Sequence, residues 1–269
     1  MGVIDMFVHP VAHASEADLF DLSNLDWDRW IQETLATMDR CGVSASGVCV
    51  MDDRILDRSA DLKALAEADA SGRLWFTFMP DIRRADVARR VEAAAAAGFR
   101  GLSFHSYLQQ ITPEDYAAVV NLCQQAEQLG LFSGLCTAYG SKRMFDYHSL
   151  PLAAKVAEQV RGPVLLYHNG GARVLEAMLM CEMWPNLYLE TSFSLTYWLG
   201  SSVETDLAFA IRKIGARRVM FGSDAPFLPA DKALNDHALF FERHGFSPED
   251  RELILGGSAR ALFPFLPKS

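Results

Sequence analysis

Val219-Met220-Phe221-Gly222-Ser223-Asp224-Ala225-Pro226-Phe227 decides how the rest of the chain is read. Val219 to Phe221 form the short apolar run of a strand covered on both faces. Gly222 allows a bend or a close backbone approach, and Pro226 stops the strand from continuing. Asp224 therefore falls where a buried strand opens. A carboxylate at the carboxyl end of a buried parallel strand is where α/β proteins keep their chemistry. An Asp that merely caps a turn is the plain alternative, so the rest of the chain has to show whether other strands end in the same way.

Amphipathic stretches that end in glycine recur, at Gly42, Gly72, Gly98, Gly130, Gly162 and Gly215, and Trp184-Pro185-Asn186 fills the gap between the last two. Glycine suits the left-handed position after a helix, and a short apolar run follows each one. The expected strands are Val3–His9, Gly47–Met51, Leu74–Met79, Gly101–His105, Leu131–Thr137, Val164–His168, Leu187–Thr191 and Arg218–Asp224. Between them, Trp27, Trp30, Ile31, Leu35 and Met38 share one helix face. Thr112-Pro113-Glu114-Asp115 and Ser247-Pro248-Glu249-Asp250 read as capped helix starts with acids at the positive end. A strand–helix unit of about 30 residues repeated in this way predicts an α/β fold: a single (βα)8 TIM-type barrel domain with an extra C-terminal helix. It would span residues 1–269. An open doubly wound sheet ranks second, because no GxGxxG follows any strand.

The chain has 269 residues, half of them hydrophobic, which suits one large barrel with an ample core. A net charge of −9 argues against a nucleic-acid partner or an anionic membrane surface. Cys41, Cys49, Cys123, Cys136 and Cys181 are scattered and without CxxC spacing, which points to a reducing compartment. Neither a signal-like start nor an apolar run of about 18 residues is present. The expectation is a soluble, cytoplasmic protein. Its apolar content is compatible with a homodimer.

In a barrel all strands aim their carboxyl ends at one face. That rim would gather Phe7 and His9, Met51 and Asp52, Met79 and Asp81, Ser103 and His105, Cys136, His168, Thr191 or Ser192, and Asp224. Three of the seven histidines end strands there, and His13 follows the first strand at the entrance. His148, His237 and His244 read as surface residues of helices or loops. Arg54, Arg83, Arg84, Lys142, Arg143 and Arg173 lie in loops after strands, where a cation can bind a substrate carboxylate. Arg173 is the best placed. Tyr107, Tyr139, Phe193, Tyr197, Trp198 and Phe227, together with Phe7, suggest an apolar pocket for a ring or an acyl chain.

These residues resemble the amidohydrolase superfamily, in the branch that includes aminocarboxymuconate semialdehyde decarboxylase and the pyrone dicarboxylate lactonases. The resemblance covers nearly the whole chain. It rests on Ile4-Asp5-Met6-Phe7-Val8-His9, Gly98-Phe99-Arg100-Gly101-Leu102, Tyr167-His168-Asn169-Gly170-Gly171, the Asp224 stretch and Ile254-Leu255-Gly256-Gly257-Ser258-Ala259. It implies one divalent metal held by two first-strand histidines, a fifth-strand histidine and the eighth-strand aspartate, with the sixth-strand histidine beside it. This sequence departs at two ligands: Phe7 stands at the first histidine and Cys136 at the fifth-strand histidine.

Two readings follow. In one, zinc is held by His9, Cys136, Asp224 and His168. In the other there is no metal. Asp224 is then general base to water, while His168 and His9 or His105 donate hydrogen bonds to the developing oxyanion. The metal-free reading is preferred, since about three protein ligands are the usual minimum for catalytic zinc and the resemblance allows lactonases without metal. Cys136 as a small buried apolar residue and His105 satisfied by a main-chain carbonyl are the plain alternatives. The expected function is hydrolysis of a lactone, ester or amide of a small carboxylic acid, aromatic ones included, with no cofactor. Zinc-dependent hydrolysis, non-oxidative decarboxylation and a non-catalytic ligand-binding barrel are the alternatives.

Overall fold

The computed structural model describes residues 2–11, 15, 17–138 and 142–267. Its sheet has eight strands: β1 Val3–Val8, β2 Val43–Val50, β3 Leu74–Phe78, β4 Gly101–His105, β5 Phe132–Cys136, β6 Val164–Tyr167, β7 Leu187–Glu190 and β8 Val219–Met220. They lie in chain order, each parallel to the next. Helices α1 Trp27–Cys41, α2 Ser59–Asp69, α3 Val87–Ala96, α4 Tyr116–Gln128, α5 Ser149–Gln159 and α6 Val174–Met183 follow the first six strands in turn. α7 Ser194–Trp198 and α8 Ser202–Ile214 follow β7, and α9 Ala230–Arg243 follows β8. This is the TIM-type (βα)8 arrangement that the repeat predicts. The expected helix starts hold as well. Thr112 and Asp115 form a reciprocal capping box, and the Ser247 side chain accepts the Asp250 N–H.

Two strands differ from expectation. β2 starts at Val43 rather than Gly47, because Val43 and Ala45 pair with Val3 and Ile4. β8 is only two residues long, because the chain beyond Met220 leaves the ladder. Phe221 donates its N–H to Ile254 O (2.9 Å) and accepts from Met6 N (3.0 Å). Asp224 N then reaches Phe7 O (2.9 Å), and His9 N reaches Ala225 O (2.7 Å). The β1–β8 seam is thus stitched by single bonds.

Other groups reinforce it. The buried Asp5 carboxylate accepts from Ser223 N (2.8 Å) and Ser223 Oγ (2.6 Å) across the seam, and from Phe7 N (3.3 Å) in its own strand. The C-terminal extension runs through α10 Pro248–Glu252, a π-turn at Leu253–Gly257 and α11 Ser258–Leu262. It supplies Ile254 O to β8, and Arg260 donates to Gly2 O (2.7 Å) just ahead of β1. The extra C-terminal helical piece is therefore a clasp over the weakest edge of the barrel.

Five of the six helix-ending glycines have the positive φ expected of them: Gly42, Gly72, Gly98, Gly130 and Gly215. Gly162 does not. α5 ends in extended Val160, and Gly162 instead donates its N–H to Glu127 Oε1 (2.5 Å). Gly134 in β5 is there for space, since a Cβ on it would come within 2.3 Å of the Tyr167 ring. Overpacking of this kind costs about 1–3 kcal/mol, so Gly134→Ala is expected to lower the urea midpoint accordingly. A Cβ at Gly162 meets nothing closer than 3.5 Å, and Gly162→Ala should change stability by less than about 0.5 kcal/mol. Equal losses in the two variants would show that Tyr167 is not seated against β5.

Candidate active site

Alternation along β1 puts Asp5, Phe7 and His9 on one side, the inside of the barrel. Phe7 lies against Tyr167 of β6 (ring centroids 4.2 Å), so the two rings make an apolar floor. Phe7 also meets His9 (4.8 Å) and His168 (5.5 Å) edge-on. His9 Nε2 is 3.1 Å from Asp224 Oδ1, and Phe227 packs its edge against the His9 ring at 5.4 Å. His105 ends β4 beside Tyr107 (4.2 Å). His9, His105, His168 and Asp224 are all buried. Burial, with His168 and His9 nearby, holds His105 well below the ordinary histidine value. Burial also lowers His168, although Asp224 and the Ser192 carbonyl pull the other way. Both rings are neutral at pH 7.

Two features mark this cluster as more than core. The Nδ1 atoms of His9 and His105 and the Nδ2 of Asn169 are buried without a partner, and native cores rarely leave such atoms unpaired. A main-chain carbonyl satisfying His105 Nδ1 is therefore ruled out. Four of the five described non-glycine residues with positive φ also sit here: His168 (65°), Asn169 (48°), Phe193 (53°) and Asp224 (72°). Strain in side-chain-bearing residues persists only where surrounding contacts over-determine it. Around His168 those contacts include Gly170 N to Thr137 Oγ1 (2.8 Å) and Thr137 Oγ1 to Tyr167 O (2.6 Å).

Glu190, which sequence reasoning passed over, lies at the end of β7 with no exposed surface. Its Oε1 accepts from Ser192 N (2.7 Å), and its Oε2 accepts from Ser192 Oγ (2.6 Å) and His168 N (3.3 Å). Ser192 in turn sets its carbonyl O and its Oγ each 3.0 Å from His168 Nδ1. A carbonyl can only accept, so neutral His168 in this geometry carries its proton on Nδ1 and offers Nε2 as an acceptor. This corrects the expected oxyanion-donor role of His168. The only sequence signal for Glu190 was an acid closing the apolar run Leu187-Tyr188-Leu189, with Gly222 two positions before Asp224. Gly222 is required because a Cβ there would lie 1.8 Å from Glu190 Oε1. Burial pushes Glu190 up to about 8, against its hydrogen bonds from Ser192 and His168. Burial likewise pushes Asp5 up to about 6, against those from Ser223 and Phe7.

The four residues that the family resemblance points to do not make a divalent-metal site among the described residues. Among the described residues no three His, Cys, Asp or Glu side chains are placed to hold one. The Phe7 ring stands against both His9 and His168, and His9 Nε2 is taken up by Asp224. Cys136 is buried, and burial pushes its thiol well above the ordinary value. The set His9, Cys136, His168 and Asp224 therefore does not assemble as a zinc site.

The remaining sequence candidates fall in three groups. Arg54 is paired with Asp52 (2.8 Å), Arg83 with Asp115 (3.0 Å) and Arg84 with Asp86 (2.9 Å). These cations hold the rim together. Burial alone would raise Asp52, but hydrogen bonds from Arg54, Leu22 and Arg58 outweigh it and hold the carboxyl below its ordinary value. Arg173 closes the turn His168–Arg173, partly exposed, with Glu176 at 3.9 Å. Trp198 ends α7 half-buried against Tyr197 (4.9 Å). Tyr139 and His13 lie outside the described residues. His237 is not a surface residue as expected. It is buried in α9, where Nε2 meets Thr191 Oγ1 (2.7 Å) and Nδ1 donates to Ala233 O (2.7 Å). A separate cleft of about 620 Å³ runs between β1, α1 and the start of α9, lined by Val8, Trp30, Met38 and Pro226 among others. Of the four clustered groups it reaches only His9.

The sequence model of the amidohydrolase family matches residues 4–265. The chain belongs to the amidohydrolase family. Solved structures with the same fold include a Pseudomonas putida protein provisionally assigned as 2-pyrone-4,6-dicarboxylic acid hydrolase (21% identity, TM-score 0.68, 99% of each chain covered). A protein of Acinetobacter baumannii with the same provisional assignment, holding citric acid, shows 15% identity and TM-score 0.68 over 98% of this chain and 100% of that one. The 5-carboxyvanillate decarboxylase of Sphingomonas paucimobilis shows 16% identity and TM-score 0.63 over 98% and 99%. Comparison with curated protein sequences gives no match. No helix among the described residues is long and apolar enough to cross a membrane.

The buried acids and histidines make stability depend on pH in opposite directions. Glu190 has a native value of about 8 against an ordinary 4.5, so the native state holds a proton that the unfolded chain releases. Stability is therefore lost as pH rises from 4.5 through 8. Depressed His105 and His168 instead cost stability as pH falls below 6.5. Asp5, pushed up to about 6, is half ionised there and has largely released its proton by about pH 7, which leaves Glu190 as the main contributor between about pH 7 and 8. Over that range the melting temperature is expected to fall in the parent protein and to stay flatter in Glu190→Gln. Parallel curves for the two proteins would mean that Glu190 holds no such proton.

Proposed function

We propose that this amidohydrolase is a metal-independent hydrolase that opens a lactone, ester or amide of a small carboxylic acid, with Asp224 as general base. The observation that carries this reading is the buried His9–Asp224 pair at 3.1 Å, set beside two neutral histidines where the residues do not make a metal site. The provisional pyrone dicarboxylic acid hydrolases among its structural neighbours support the substrate class.

The chemistry follows from the atoms available. His9 donates Nε2–H to Asp224 Oδ1, which fixes the carboxylate and leaves Oδ2 to take a proton from water. The water oxygen attacks the acyl carbon. His105 has its Nδ1 buried and unpartnered, so it meets the developing oxyanion through Nε2. Collapse breaks the acyl C–O or C–N bond, and the proton held by Asp224 passes to the leaving atom. Without a Lewis acid the leaving group must itself be good, which favours a lactone or ester whose leaving oxygen is an enolate or phenolate. Phe7, Phe227 and Trp198 would pack a planar ring, and Arg173 would take its carboxylate.

The test uses protein purified without chelator or metal-affinity resin, its metal content measured by elemental mass spectrometry. Turnover of a panel of lactones and activated aryl esters is expected to be indifferent to chelator. Asp224→Asn is expected to lower kcat by about 10²–10⁴-fold, the range for losing a positioned base. Full turnover in Asp224→Asn would overturn the base assignment. One zinc per chain with chelator-sensitive activity, or carbon dioxide release from a hydroxybenzoate-like acid, would overturn metal-independent hydrolysis.

A further inference from the structure

We infer that Glu190 and Ser192 are positioning residues that fix His168 with its proton on Nδ1 and its Nε2 lone pair turned to the strand-end cluster, making His168 a second hydrogen-bond acceptor beside Asp224. This deepens the hydrolytic reading above and rests on it only for its kinetic consequence. A water that donates one hydrogen bond to Asp224 and the other to His168 has both hydrogens fixed and a lone pair left for the acyl carbon. The proton transferred still goes to Asp224, and His168 orients the nucleophile.

The arrangement is over-determined. Glu190 accepts from both polar hydrogens of Ser192 and from the main-chain N–H of His168, so one carboxylate spans the ends of β6 and β7. With the Ser192 hydroxyl committed to Glu190, its Oγ faces His168 Nδ1 as an acceptor, as its carbonyl must. The turn through Phe193 (φ 53°) brings Ser194 N back onto that same carbonyl and holds it toward the imidazole. His168 itself has φ 65°, a conformation that the bond from its own N–H to Glu190 helps to secure. Gly222 in the neighbouring segment leaves the carboxylate its room. The Ser192 carbonyl and hydroxyl oxygens both face Nδ1, so Nε2 is the nitrogen left for chemistry.

Histidine ring nitrogens report the tautomer directly. Protein labelled with ring-15N histidine would be studied at pH 9, where Glu190 is ionised, with His168 assigned by comparison with His168→Gln. The expected result is an Nδ1-protonated ring. Glu190→Gln puts an amide N–H against Ser192 Oγ and turns the serine hydroxyl toward Nδ1. It should raise the Nε2–H share and lower kcat about 10-fold or more, as for other residues that orient a catalytic imidazole, with KM unchanged within about two-fold. Ser192→Ala keeps the carbonyl and should keep the Nδ1–H form. A parent protein with Nε2–H, a folded Glu190→Gln with the parental tautomer, or a Ser192→Ala that switches tautomer would each overturn the inference. A purely structural Glu190 would lower the melting temperature and leave the tautomer in place. The ring spectra need no substrate. Failure of every lactone would count against the hydrolytic reading alone, and a wrong tautomer with intact turnover would count against this inference alone.

Discussion

Two carboxyl groups buried inside the barrel, Asp5 and Glu190, hold the strand ends that carry the proposed reacting groups. A buried carboxyl group without partners is costly, and each of these is supplied with donors in the same way: the N–H and hydroxyl of one serine, plus a second main-chain N–H. Asp5 grips Ser223, whose hydroxyl also accepts from Ala225 N (3.1 Å), and so brackets Asp224 on both sides. Glu190 grips Ser192, which faces His168. The seam that β8 is too short to zip is closed by the same Asp5 contacts that hold Asp224, the proposed base, in place. Stability and chemistry are thus drawn from one set of groups.

Much of this was legible in the sequence because its signals are local. Apolar runs of strand length, glycines at helix ends and the Thr112 and Ser247 caps each depend on a few adjacent residues. They predict eight strands and the rim that collects His9, His105, His168 and Asp224. The parts that were missed depend on partners far along the chain. β8 stops at Met220 because Phe221 takes its bond from Ile254 of the C-terminal π-turn, which no inspection of residues 218–224 could show. Glu190 was passed over in the sequence because its burial needs Ser192, the main-chain N–H of His168 just after β6 and the missing side chain of Gly222. His237 was misread because the inner face of α9 is set by Phe221 and Thr191, against which its ring packs. Arg54, Arg83 and Arg84 seemed available to substrate only while Asp52, Asp115 and Asp86 were unplaced.

Phe7, which stands where the family resemblance implies a metal ligand, is part of the packing and not a single exchange. Phe7 rests on Tyr167, and the Tyr167 ring occupies the space that Gly134 leaves by having no side chain. Residues from β1, β6 and β5 therefore agree on an apolar floor. That floor also removes solvent from the histidines, and burial is the largest cause of the lowered values of His105 and His168. A neutral imidazole has one donor and one acceptor, so which nitrogen holds the proton matters more here than it would for a charged ring. The fold answers with the carbonyl and hydroxyl oxygens of Ser192 at Nδ1 of His168 and with buried Glu190, which grips that serine. An apolar floor and a fixed tautomer are two consequences of one packing choice, and both point to chemistry done with oriented protons.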